Sequence, residues 1–318
     1  MHAIEVARFG GPDVLLPVDA PDPVPGPGQV VVDVAVADTL WLETMVRAGH
    51  GGDFFPVEPP YRPGVGVAGT VSTVGSGVAP QWIGKRVVAR TGHAGGGYAA
   101  RALAPADALV AIPDGVGAAD AAAVLHDGVT ALALLDVAPL GPGDRVLVTA
   151  AAGGMGAILV QLARARGATV VAAARGAAKL ERLRLLGADQ VVDYSAPEWT
   201  AAVEPVDVAL DGAGGDLGRA AFALVKNGGR FSGHGRPAGG FAADPEAART
   251  RGITATGIAE LRLRTASSRA YLGHALAAVA EKRFTPLVGQ VFGLSEAAEA
   301  HRAIEQRTAI GKTLLVVG

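Results

Sequence analysis

The chain has 318 residues, half of them hydrophobic and 18% charged, enough to bury two domain cores rather than one. Its net charge of −2 and the lack of a basic run argue against nucleic acid or an anionic membrane as partner, and no uninterrupted apolar stretch reaches the roughly 18 residues of a transmembrane helix. With no cysteine there is no disulfide, thiolate metal ligand or thiol nucleophile; with no basic start and apolar core at Met1-His2-Ala3-Ile4 either, a cytoplasmic protein is expected.

Residues 1–120 read as short strands separated by Pro and Gly clusters. Gln29–Ala37, Val67–Val74 and Lys85–Ala89 are rich in valine and threonine, and Pro25-Gly26-Pro27-Gly28 and Gly75-Ser76-Gly77 punctuate them. This spacing predicts an antiparallel barrel or sandwich, interrupted by a helix near Leu42–Arg47. Beyond residue 120, strands alternate with helices. The strands are Arg145–Thr149, Thr169–Ala173, Gln190–Asp193, Val206–Leu210, Gly229–Ser232 and Ile253–Gly257; the helices are Met155–Arg166, Ala177–Leu186 and Leu217–Val225. Gly167 and Gly187 stand where left-handed caps would end two of these helices. The alternation predicts an α/β fold with a doubly wound parallel sheet. Helices near Ser267–Lys282 and Ser295–Arg307 and a strand at Lys312–Val317 close the chain, which has no internal repeat.

The strongest chemical signal follows the Arg145–Thr149 strand. Ala150-Ala151-Ala152-Gly153-Gly154-Met155-Gly156 joins it to a helix, with Ala151, Gly153 and Gly156 in the three places of G-x-G-x-x-G. Small residues let the backbone approach a pyrophosphate, which the free N–H groups and the helix dipole then stabilise. A Gly-rich turn can also serve tight packing alone; the flanking strand and helix and the spacing to the next strand favour a dinucleotide. An NAD site usually carries an acid about 20 residues on, for the ribose 2′-hydroxyl. Here Ala172-Ala173-Ala174-Arg175-Gly176-Ala177-Ala178-Lys179 has none before Glu181. Arg175 or Lys179 alone would read as a solvated helix-start charge; together, with no acid nearby, they favour the 2′-phosphate of NADPH.

Further motifs run through the whole chain: Ala7-Arg8-Phe9-Gly10-Gly11-Pro12, Pro63-Gly64-Val65-Gly66-Val67-Ala68-Gly69, Gly128-Val129-Thr130-Ala131, Leu186-Gly187-Ala188-Asp189, Lys226-Asn227-Gly228-Gly229-Arg230 and Gly311-Lys312. With them the chain resembles the zinc-independent quinone oxidoreductase branch of the medium-chain dehydrogenase/reductase superfamily. The resemblance implies a GroES-like β-rich catalytic domain from residues 1–120 and 265–318, with an NADPH-binding Rossmann domain, 121–264, inserted between them. It implies that the turn from Ala152 through Gly153, Gly154 and Met155 holds the pyrophosphate. Lys179 and Tyr194 then contact the adenosine phosphate region, beside Arg175, and Thr130 lies near the nicotinamide ribose or phosphates. Gly233, His234 and Gly235 border the nicotinamide, and Lys312 reaches the cofactor edge.

Zinc-dependent relatives read Gly-His-Glu where this chain has Gly64-Val65-Gly66. The seven histidines, His2, His50, His93, His126, His234, His274 and His301, show no metal-ligand spacing and read as surface or structural. Leu40-Trp41 replaces a common Asn-Pro pair, and Glu43 stands where the family usually has Asp, so Trp41 reads as an apolar pocket wall or as core. The implied function is metal-free hydride transfer from NADPH to a quinone or an α,β-unsaturated carbonyl. The alternatives are an enoyl-thioester reductase and a non-catalytic NADPH-binding sensor. Catalysis is expected to be mainly positioning in a cleft between the domains, lined by Trp41, Thr130 and His234, with His234 the candidate proton donor. A homodimer is expected along the Ile253–Ile258 edge strand.

Overall fold

The computed structural model describes residues 1–52, 56–92, 95–235, 238–261 and 263–318. The chain forms two compact units, one of Met1–His126, Thr265–Lys282 and Val288–Gly318, the other of Asp127–Arg264 and Arg283–Leu287. The first unit begins with an antiparallel pair, β1 (His2–Val6) and β2 (Leu15–Asp19). Next come β3 (Gln29–Asp38), helix α1 (Trp41–Arg47), β4 (Gly66–Val74), β5 (Arg86–Arg90), β6 (Arg101–Pro105), β7 (Val110–Ala111) and helix α2 (Ala118–Val124).

The second unit starts with α3 (Asp127–Val137). It continues through β8 (Arg145–Thr149), α4 (Gly154–Ala165), β9 (Thr169–Ala174), α5 (Ala177–Leu185) and β10 (Gln190–Asp193). After these come β11 (Val206–Asp211), α6 (Gly215–Ala223), β12 (Val225–Gly233), α7 (Pro245–Thr250) and β13 (Thr254–Gly257). Among the described residues these strands form a six-stranded sheet in the order β10-β9-β8-β11-β12-β13, every pairing parallel. Strands covered on both faces read as continuous apolar runs, which is why the valine- and alanine-rich segments are strands. Phe231 is fully buried, with the Phe222 ring edge-on at 5.4 Å, and its truncation to alanine would cost about 3–5 kcal/mol. Gly167 and Gly187 lie at φ +79° and +93° and end α4 and α5: the N–H groups of Ala168 and Ala188 reach back to the carbonyls of Ala163 and Leu183. β12 starts at Val225, earlier than its sequence signal, because α6 ends at Ala223.

The chain then returns to the first unit with α8 (Thr265–Ala280), β14 (Val288–Gly293), α9 (Ala297–Glu305) and β15 (Lys312–Val316). Among the described residues the unit holds a seven-stranded sheet, ordered β14-β15-β3-β4-β5-β7 with β6 also on β3. β14 and β15 pair in parallel; the other pairings are antiparallel. β3 is the spine, pairing with β4, β6 and β15, and its Val30, Val32 and Val34 join the buried core. Among the described residues no single helix is long and apolar enough to cross a membrane.

Candidate active site

In the second unit the strand order reverses between β8 and β11, and ligands of open α/β sheets bind beyond the strand ends at such a point. The turn after β8 stands there. Ala150 is left-handed at φ +49°, and the Ala151 N–H bonds the Ala173 carbonyl at 3.1 Å. The N-cap of α4 is Gly153, which has no side chain to bond the first helical N–H groups. The bond from Ala157 N–H to the Gly153 carbonyl comes first in the helix, so Gly154, Met155 and Gly156 present N–H groups without an intrahelical acceptor. A Cβ on Gly156 would lie 2.6 Å from the Ala150 carbonyl oxygen and 2.7 Å from Ala151 Cα, so only glycine fits. Ala151 and Ala152 are buried beneath the turn.

The floor of the crevice is polar and closed on itself. Asp211, fully buried at the end of β11, accepts from the Thr149 hydroxyl at 2.5 Å and from the N–H groups of Ala213 and Gly214 at 3.0 and 3.1 Å. Burial pushes its carboxyl up, against these bonds. Gly233, His234 and Gly235 follow at the end of β12, where the N–H groups of His234 and Gly235 bond the Asp211 carbonyl. A Cβ on Gly235 would fall 1.8 Å from the Gly212 carbonyl oxygen. His234 is buried, which pushes its imidazole down to about 4 against a bond to the Ser232 backbone; it is neutral at pH 7 and a poor proton donor.

At the second strand, β9 ends on buried Ala174, followed by exposed Arg175. The Gly176 N–H donates to Asp193 at 3.0 Å, tying this turn to the end of β10. Lys179 lies in the first turn of α5, and half-buried Tyr194 packs on the core under β10. Thr130 is half-buried on α3, which packs against α4. The second unit thus contains Thr130, Ala152–Met155, Arg175, Lys179, Tyr194 and Gly233–Gly235, while Trp41 and Lys312 belong to the first.

In the first unit, Trp41 opens α1, half-buried and outside the buried core. Lys312 is buried against Asp38, with Nζ 2.5 Å from Oδ1. Asp38 is fully buried at the end of β3, and its other oxygen takes His126 Nδ1 at 2.6 Å. Burial alone would push Asp38 up; Lys312 and His126 outweigh it and hold the carboxyl below its ordinary range. Removing one partner of such a pair costs about 3–5 kcal/mol, because the other charge is left buried alone.

Next to this cluster, the Glu43 carboxylate collects four donors: Leu40 N–H at 2.8 Å, Tyr98 hydroxyl at 3.0 Å, Gly64 N–H at 3.0 Å and Val65 N–H at 3.1 Å. It thereby caps α1 and fixes the 64–66 loop. Burial pushes it up to about 7, with Asp38 adding to the rise and the Leu40 and Tyr98 bonds opposing it. The Tyr98 hydroxyl also meets His301 Nε2 at 3.1 Å, and His301 is pushed down to about 3 by burial and by Arg47.

His2, His50 and His274 are exposed; His93 lies outside the described residues. His126 is not a surface histidine, and its pairing with Asp38 was missed in the sequence. The available signal was a lone carboxylate inside the apolar run Val34-Ala35-Val36-Ala37-Asp38-Thr39-Leu40-Trp41. Among the described residues no three His, Asp or Glu side chains converge as a metal-binding set.

Residues 26–114 match the family model described as alcohol dehydrogenase GroES-like domain, and residues 186–315 that described as zinc-binding dehydrogenase. A probable quinone oxidoreductase of Schizosaccharomyces pombe is 31% identical over 98% of this chain and 96% of its own. A 2-haloacrylate reductase of a Burkholderia species is 33% identical over 76% of this chain and 75% of its own. A mycobacterial protein solved in complex with NADPH superposes with a TM-score of 0.89 at 32% identity, covering 99% of both chains.

Proposed function

The chain belongs to the quinone oxidoreductase branch of the medium-chain dehydrogenase/reductase superfamily, and from this premise we propose that it is an NADPH-dependent reductase of quinones or α,β-unsaturated carbonyls that works without a metal. The observation that carries the reading is the second unit's crevice: an uncapped helix start with an obligatory glycine at the switch point, and Arg175 where an NAD site has an acid. These residues fit a phosphorylated dinucleotide, as in the mycobacterial relative with NADPH. Ala152, Gly153, Gly154 and Met155 would hold the pyrophosphate and Arg175 and Lys179 the 2′-phosphate. Tyr194 would pack on the adenosine side, Thr130 would meet the ribose or phosphates, and Gly233, His234 and Gly235 would border the nicotinamide. Bound there, the cofactor supplies the hydride.

The acceptor class follows from chemistry. Without thiolates, and with Val65 and Gly66 at the place of the zinc motif, the chain has no Lewis acid ligand set there, and conjugation in the acceptor delocalises the developing charge instead. A relative named for acrylate reduction is in keeping with this. The same reading gives a cytoplasmic homodimer joined along β13, the sheet edge. The test is steady-state NADPH oxidation with a panel of quinones and enones, alongside NADPH binding. Acceptor-dependent turnover is expected; tight NADPH binding with no turnover on any acceptor would favour a sensor.

A further inference from the structure

The second unit places a carboxylate at its adenosine end that the sequence after β9 does not offer. No acid follows Ala174 before Glu181, and Glu181 is turned to its own helix, where Arg184 Nη1 donates to it at 3.0 Å. The next strand supplies one instead. β10 runs parallel to β9 with Asp193 beside Ala174, and the Tyr194 N–H bonds the Ala174 carbonyl at 3.2 Å. Both strands therefore end together, on the side of the sheet where dinucleotides bind.

Asp193 reaches the turn that begins α5. Its Oδ2 accepts from the Gly176 N–H at 3.0 Å, and Gly176, at φ +84°, is the N-cap of that helix and follows exposed Arg175. Its Oδ1 accepts from the Ser195 N–H at 2.9 Å and from the Ser195 hydroxyl at 2.5 Å. The Ser195 bonds, with Gly176 and Arg175 adding to them and burial opposing, hold the carboxyl below its ordinary range, so it is a fixed negative charge. A carboxylate has roughly four lone-pair sites; among the described residues Gly176 and Ser195 fill three, leaving one for a further donor. Two cations and one anion thus stand at one turn, and they suit different ligands. Arg175 and Lys179 match a 2′-phosphate, whereas a carboxylate accepts from a ribose hydroxyl and repels a phosphate.

We propose that Asp193 sets the cofactor selectivity of this turn: it accepts the ribose 2′-hydroxyl of the unphosphorylated dinucleotide, so that the site binds NADH as well as NADPH, and its charge limits the grip on the 2′-phosphate. This rests on the dinucleotide reading given above. The two cofactors use different partners at one place. NADPH presents an anion to Arg175 and Lys179, with Asp193 opposing it. NADH presents a hydroxyl donor to Asp193, with no anion for the two cations. The bond to Gly176 keeps the carboxylate at the turn in both cases. The acid that binds the ribose thus comes from the third strand of the β8-β9-β10 series, which is why the residues at the end of β9 alone read as an NADPH site.

The experiment is calorimetric titration of the full-length parent and Asp193→Asn with NADPH, NADH and two fragments, adenosine 2′,5′-bisphosphate and AMP, which report the adenosine end without the nicotinamide. Circular dichroism checks that the variant is folded; if it is not, Asp193→Ser, which also removes the charge, takes its place. The parent should bind both dinucleotides, NADPH about tenfold more tightly. In Asp193→Asn the amide oxygen keeps the Gly176 N–H, and the NH2 is a donor where the carboxylate was an acceptor. NADPH should tighten and NADH weaken, each by roughly three- to tenfold, and the two fragments should cross in the same way. Loss of a purely structural contact would instead weaken all four ligands alike. The gain in NADPH affinity should shrink at high salt, which screens the repulsion that the variant removes. A parent that binds NADPH but no NADH at millimolar concentration, or a ratio of the two affinities that the variant leaves unchanged or narrows, overturns the proposal while leaving the proposed function standing. A parent that binds neither dinucleotide overturns both.

Discussion

Replacing Glu43 by glutamine tests the buried carboxylate that holds the 64–66 loop. Its folded value is raised from 4.5 to about 7, chiefly by burial. A raised carboxyl contributes stability that is fully present below the unfolded value and is lost as pH rises through the folded one. That gap, at about 1.4 kcal/mol per pH unit, amounts to roughly 3 kcal/mol lost by the parent above pH 8. The variant has no such slope but carries a fixed cost. All four partners of Glu43 donate to it, and although the Tyr98 hydroxyl can turn and accept, the amide NH2 must still face a backbone N–H. That mismatch is worth about 1–3 kcal/mol. Urea unfolding followed by circular dichroism should find Glu43→Gln less stable than the parent by about 1–3 kcal/mol at pH 5.5, and level with it or more stable at pH 8.5. A deficit that grows with pH would mean the four donors keep the carboxylate ionised throughout, and would refute the reasoning.

Buried His301 and His234 are lowered to about 3 and about 4, so their contribution is complete above pH 6.5 and is lost as pH falls toward those values. The parent's advantage in thermal midpoint over His301→Gln should therefore shrink between pH 7.5 and 5; an advantage that widens would contradict it. Replacing both Arg175 and Lys179 by alanine should weaken NADPH on the order of tenfold or more while sparing NADH, read by fluorescence titration. Light scattering after gel filtration should give twice the chain mass, and a Thr256→Pro change on the β13 edge should favour the monomer; a parent monomeric at micromolar concentration would exclude the dimer.

The repeating units of the second unit were the most legible part of the sequence. Arg145–Thr149 and Gln190–Asp193 are strands with the expected ends, because apolar runs between helix caps leave little choice of register. α2 and α3 left no sequence signal: Ala118–Val137 is apolar on nearly every side, so it lacks the period of an amphipathic helix. β1 and β14 were also missed; each is separated from the strand it pairs with, β1 from β2 by residues 7–14 and β14 from β15 by α9. The dinucleotide turn could be read because backbone approach demands small residues in a local order. The Asp38–His126–Lys312 cluster could not, since its members come from three distant parts of the chain and meet only once β15 pairs with β3.

The central claim is metal-free hydride transfer from NADPH to a conjugated carbon. It is tested most directly by giving chelator-treated protein NADPH deuterated at C4, in each stereoisomer separately, together with 2-cyclohexenone, and analysing the product by mass spectrometry and NMR. One stereoisomer should place a single deuterium on the β-carbon, at the same rate before and after chelation. No deuterium from either stereoisomer, or a rate that collapses on chelation and returns with zinc, would contradict it.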